Sequence, residues 1–135
     1  MSPLLEKKLQ FLLEYLQEFN EFTSMRFSEF ERDKIKKRAA ERLIQLLVEV
    51  GSDIAGEILL EKKGIAAETY YASFIELGKK GFISVPLAKK LASSAGLRNR
   101  IIHEYGEYKD RIVFSNIKPL YDGYLKFYQK IKKAV

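Results

Sequence analysis

The chain has no cysteine, no tryptophan, one histidine and only three prolines in 135 residues. Without cysteine there is no disulfide and no thiolate metal site. A single histidine leaves too few ligands for an intrinsic zinc site of the usual kind, so neither metal nor cofactor is expected. No apolar run is long enough to span a bilayer, and the N-terminus does not read as a signal peptide. A cytoplasmic protein with no membrane partner is therefore expected. Repeats, low-complexity tracts and linkers are also missing. The length suits one domain that buries its own core, and one helical domain over residues 1–135 is expected.

What is present is charge and helical periodicity. The net charge is +6 and the pI about 9.4, which suits a polyanionic partner. Lysine pairs such as Lys62-Lys63, Lys79-Lys80 and Lys89-Lys90 fit solvated helix ends equally well.

The chain reads as helices throughout, which predicts an all-α, up-and-down bundle of four to five helices. Ser2 and Pro3 open the first, and Leu5, Leu9, Leu12, Leu13, Leu16 and Phe19 repeat at helical spacing to about Phe22. Ser28 and Glu31 form a capping box for a long helix bearing Ile35, Ala39, Leu43, Leu46, Leu47, Val50, Ile54 and Ile58. Lys62, Lys63 and Gly64 end it. A shorter helix from Thr69 to Lys80 closes at Gly81, and Ser84 and Pro86 start the next, which ends near Gly106. Asp110 is a candidate cap for the last helix, where Ile117, Leu120, Tyr121, Tyr124, Phe127, Tyr128 and Ile131 form a broad stripe. Pro119 should kink that helix or delay its regular start. Gly51 and Gly56 each cost the long helix roughly 1 kcal/mol against alanine, which close helix approach would explain.

The chemistry concentrates in Arg98-Asn99-Arg100-Ile101-Ile102-His103-Glu104-Tyr105, around the only histidine. Histidine takes and gives protons near neutrality, and arginine forks onto phosphate. Together they suggest metal-free chemistry on a phosphodiester. At about 100° per residue, Leu87, Leu91, Ala95, Ile102 and Tyr105 share one helix face with Arg98 in its middle. Asn99 and His103 lie together at the edge. An arginine on a core-facing stripe needs a buried carboxylate, a cleft or a subunit interface. The same residues also fit a snorkelling arginine and a surface histidine on an ordinary helix. Asp53, at the edge of the long helix's stripe, is a candidate orienter of Arg98.

Arg98, four residues, His103, one residue and Tyr105 resemble the arginine–x4–histidine–x–tyrosine signature of the HEPN superfamily, nearest its HepT-like branch. Gly96-Leu97-Arg98-Asn99, His103-Glu104-Tyr105, Glu41-Arg42 and Asp53-Ile54-Ala55 stand where that branch has such residues. The likeness spans nearly the whole chain. It implies an endoribonuclease toxin that needs no metal and uses the RNA's own 2′-hydroxyl as nucleophile. Arg98 and His103 would then be catalytic, Asn99 and Arg100 would hold or orient RNA, and Tyr105 would be the target of AMP transfer by a cognate minimal nucleotidyltransferase antitoxin. The resemblance also implies a homodimer. Arg98 and His103 lie about 140° apart around their helix, and one histidine cannot comfortably be both acid and base. Both difficulties ease if two copies join their motifs across a two-fold axis. A different reading is a non-catalytic subunit that binds nucleotide or a nucleotidyltransferase. A third is a purely structural dimerisation module.

Overall fold

The computed structural model describes residues 2–103 and 107–134, with side chains left undescribed at 107 and 108. The described residues form six α-helices: α1 (Pro3–Phe19), α2 (Phe27–Arg32), α3 (Lys34–Lys63), α4 (Tyr70–Lys79), α5 (Val85–His103) and α6 (Glu107–Ala134). A 3₁₀ turn, Asn20–Phe22, extends α1 to the expected limit. No described helix is long and apolar enough to cross a membrane.

The number of helices exceeds the expectation because of one residue. Ser28 does not open the long helix; it lies inside α2, where its carbonyl accepts from Arg32 Nε. Asp33 breaks the run with φ −106° and ψ 98°, and its carboxylate accepts from the backbone N–H groups of Ile35 and Lys36, both at 3.1 Å. Asp is as good an N-cap as Ser. Ile35, expected on the buried stripe, is 72% exposed in that first turn. Other boundaries among the described residues fall as read, while the expected end of the motif helix near Gly106 lies outside them. The Ser2 hydroxyl caps α1, Thr69 caps α4, and Gly64 ends α3 with φ 65°, a left-handed conformation that suits glycine.

Asp110 is not a cap either. It lies inside α6 and pairs with Lys37 at 3.0 Å, and its neighbour Lys109 pairs with Glu41, so two ion pairs pin the start of α6 to α3. The helix continues through Pro119. Pro119 is exposed, so water can satisfy the carbonyl that its missing N–H leaves free.

The long α3 is the axis of the bundle and touches every other α-helix. Its buried face joins α1, α4, α5 and α6 in one apolar core. At the centre, Phe74, Tyr124 and Phe127 meet edge to face with centroids 6.0–6.3 Å apart. Gly51 lets α6 come close: a Cβ there would lie 2.7 Å from Tyr124 Cε1. Gly56 has no such neighbour, since a Cβ would meet nothing within 4 Å. Tyr124 is fully buried and hydrogen-bonds Ser94 at 2.7 Å, which ties α6 to α5. Burial pushes its hydroxyl well above the ordinary tyrosine range.

Candidate active site

The motif helix α5 buries Leu87, Ala88, Leu91, Ala92, Ser94, Ala95, Leu97 and Ile101. The buried face drifts along the helix, as it does wherever helices cross at an angle. Towards the C-terminus it turns to Leu97 and Ile101, so Ile102 is 42% exposed, against the expectation of a buried position. Arg98 remains within the packed arc, with only 20% of its side chain exposed. Asn99, Arg100 and His103 are exposed. Tyr105 lies outside the described residues.

A half-buried arginine needs partners, and among the described residues it has two. Arg98 Nη2 donates to Glu49 Oε1 at 3.1 Å, across from α3. Its guanidinium carbon lies 5.2 Å from the centre of the Tyr70 ring, at the first turn of α4. A cation over an aromatic face is held by the ring quadrupole. The Nε–H is buried and has no hydrogen-bond partner among the described residues. The arginine is thus held at one edge and over an aromatic ring.

The carboxylate on Arg98 is Glu49, not Asp53. Asp53 lies one turn further along α3 and is exposed. The two residues are four apart and share a helix face, but only Asp53 is expected from the sequence. Only the register of α5 against α3 decides between them, and no local signal carries that register. Tyr70 was missed for the same reason. It directly follows the Thr69 cap and reads as an ordinary first-turn aromatic.

The two partners of Arg98 each line a cavity. One, of about 440 Å³, lies between α3 and α4 and includes Tyr70 in its wall. The other, of about 360 Å³, lies between α1 and α3 and includes Glu49. Asp53 borders both. Beneath the first, Ser73 Oγ donates to the Tyr70 carbonyl at 2.7 Å, so in its 2.8 Å contact with Ser52 Oγ it serves as acceptor. That pair ties the first turn of α4 to α3, and with it the backbone of the aromatic beside Arg98.

The arrangement offers a guanidinium held by two neighbours and partly exposed, with an exposed amide, a second arginine and an imidazole further along the same helix. Such a set can bind a phosphodiester and move a proton without a metal ion.

Comparison with known proteins agrees. The model of the family described as Ribonuclease HepT-like matches residues 12–131. The chain is similar to the tRNA nuclease HepT of Aphanizomenon flos-aquae (strain 2012/KM1/D3), 33% identical over 114 residues, which cover 84% of this chain and 78% of that protein. It superposes on a HEPN toxin of Shewanella oneidensis, solved tri-AMPylated and in complex with MNT antitoxin, with a TM-score of 0.86 over 98% of this chain and 99% of that one at 22% identity. A toxin–antitoxin structure with AMP-PNP gives a TM-score of 0.86 at 21% identity, covering 98% of each chain. At those identities the structural likeness speaks for the fold, and the sequence matches speak for the family. The chain belongs to the Ribonuclease HepT-like family.

Proposed function

We propose that this protein is a metal-independent endoribonuclease toxin that cleaves RNA by attack of the 2′-hydroxyl. A cognate minimal nucleotidyltransferase antitoxin neutralises it by AMP transfer to Tyr105. The observation that carries the reading is Arg98, which Glu49 and Tyr70 hold in place while His103 is exposed on the same helix. Its relative's name makes tRNA the first substrate to try.

In the proposed reaction the 2′-oxygen attacks the adjacent phosphorus and the bond to the 5′-oxygen breaks. His103 takes the proton of the 2′-hydroxyl, and His103 of a second copy gives one to the leaving 5′-oxygen. Arg98 stabilises the charge that builds on the non-bridging oxygens. Asn99 orients the imidazole or the phosphate, and Arg100 grips the backbone. The products are a 2′,3′-cyclic phosphate and a 5′-hydroxyl. The active species is a homodimer, because each copy supplies only one histidine.

The decisive experiment is cleavage of RNA by purified protein in chelator, with product ends identified by mass spectrometry. His103→Ala and Arg98→Ala each lower the rate on the order of 10²–10⁴ with the fold intact. Cyclic-phosphate ends from wild type and none from the variants support the reading. Robust cleavage by the His103→Ala protein, or activity lost in chelator, overturns it. A monomer by sedimentation at micromolar concentration overturns the shared site.

A further inference from the structure

The cavity between α3 and α4 has a composition at odds with the rest of the molecule. In a chain of net charge +6, its wall contains no cation. It presents Asp53 and Glu68, the Tyr70 ring and the hydroxyls of Ser52 and Ser73. The serines already bond each other and the Tyr70 carbonyl. The carboxylates are therefore the principal acceptors left for a ligand. Such a wall repels phosphate and favours a flat group with N–H donors on its edge. At about 440 Å³ the space falls within the range of small-molecule sites, roughly 300–1,000 Å³.

Gly56 forms part of the same wall. A glycine inside a helix costs about 1 kcal/mol against alanine, and close packing usually explains it. Here nothing lies within 4 Å of where a Cβ would be. The missing side chain leaves open space in the cavity and nothing else. Tyr70 then links this cavity to the arginine, because the residue whose ring lies beside the Arg98 guanidinium also lines the cavity.

We infer that this cavity is a nucleobase subsite for the nucleotide next to the phosphate held by Arg98, and that it prefers guanine. The inference rests on the ribonuclease reading and gives that site its base preference. The base lies against Tyr70, as unstacked RNA bases do on aromatic side chains. Its edge meets the carboxylate of Asp53 or Glu68. Guanine alone presents two adjacent donors, N1–H and N2–H₂, to the two oxygens of a carboxylate. Adenine and cytosine each offer one amino group beside a ring-nitrogen acceptor, so a carboxylate gains at most a single hydrogen bond on that edge. In uracil the N3–H lies between two carbonyls.

Two measurements test this. In the first, wild type cleaves a random-sequence RNA pool in chelator and the new ends are sequenced. Guanine should be enriched about tenfold at one fixed position beside the cut, the discrimination that one good bidentate contact gives. The Asp53→Asn, Glu68→Gln double variant should lose the enrichment. In the second, which needs no cleavage, GMP and UMP are titrated against the protein while the amide signals of residues 67–73 are followed by NMR. GMP should shift them at concentrations where UMP does not, and Gly56→Leu, which fills the cavity, should remove the response. Should wild type cleave no RNA, the ribonuclease reading falls and the titration alone decides whether a base site exists. Equal responses to GMP and UMP overturn the subsite. So does a guanine bias that survives the double variant.

Discussion

Arg98 on α5 and Glu49 on α3 stand 3.1 Å apart, an ion pair joining the motif helix to one outside the motif. In the proposed reaction Glu49 is therefore a positioning residue, acting on RNA only through the arginine. Glu49→Ala is expected to lower kcat about 10²-fold, the cost of a small misplacement of a catalytic group. KM should stay level or fall, because an anion leaves the cleft. Glu49→Gln keeps an acceptor for Nη2 and should recover part of the loss. Unchanged or raised kcat in a folded Ala variant would show that Glu49 restrains Arg98 instead of aiming it.

The two glycines of α3 should respond in opposite senses. At Gly51 an added methyl meets the Tyr124 ring at 2.7 Å and Phe74 Cζ at 3.3 Å. Overpacking typically costs 1–3 kcal/mol, more than the roughly 1 kcal/mol that alanine gains in a helix. Gly51→Ala should therefore lower the denaturation midpoint. At Gly56 the methyl meets nothing within 4 Å, so Gly56→Ala should stabilise by about 0.4–1 kcal/mol. Chemical denaturation of the two variants side by side checks both, and a stabilised Gly51→Ala would contradict the close approach of α6.

Tyr124 sets an alkaline limit. Its hydroxyl titrates higher in the folded chain than in the unfolded one, because burial penalises the phenolate. The unfolded chain therefore releases this proton first. The contribution to stability is complete below the unfolded value, about pH 10, and is lost as pH rises through the folded value. Tyr124→Phe should give up about 1 kcal/mol at neutral pH with its bond to Ser94. It should also lose stability less steeply above pH 10. A parallel decline in the two proteins would place the alkaline sensitivity elsewhere.

Control is proposed to pass through Tyr105. Tyr105→Phe should remain a ribonuclease yet escape neutralisation. Incubation with the partner nucleotidyltransferase, ATP and Mg²⁺ should add AMP to wild type and none to the Phe variant. Equal addition to both, read by intact mass, rules out Tyr105 as the acceptor.

Periodicity carried most of the fold. The stripes of α1 and α6, the Thr69 cap and the Gly64 stop all stand where the spacing put them, since each is decided within a turn or two. The misreadings arose where two local solutions were equally good. Ser28 and Asp33 both suit a cap, and only the backbone at Asp33 shows which one divides the chain. Asp110 could have opened a helix, but Lys37 from a distant segment claims its carboxylate. The site divides in the same way. Arg98 announced its need for a partner through its place on an apolar face. Glu49 and Tyr70 answer that need from other helices, and helix register is a property of the assembled core.

The clamp on Arg98 also sets when its freedom is lost. Confining a long, flexible side chain costs about 1.5–2 kcal/mol in rotamer entropy. Here Glu49 and Tyr70 confine it while the bundle forms, before any RNA arrives. The buried Nε–H, which has no partner among the described residues, adds a desolvation cost to the resting fold. Both penalties fall on folding and neither on association. In the proposed reaction RNA therefore meets a guanidinium already immobilised, and the thermal stability of the bundle and the rate of cleavage are set against each other at one side chain.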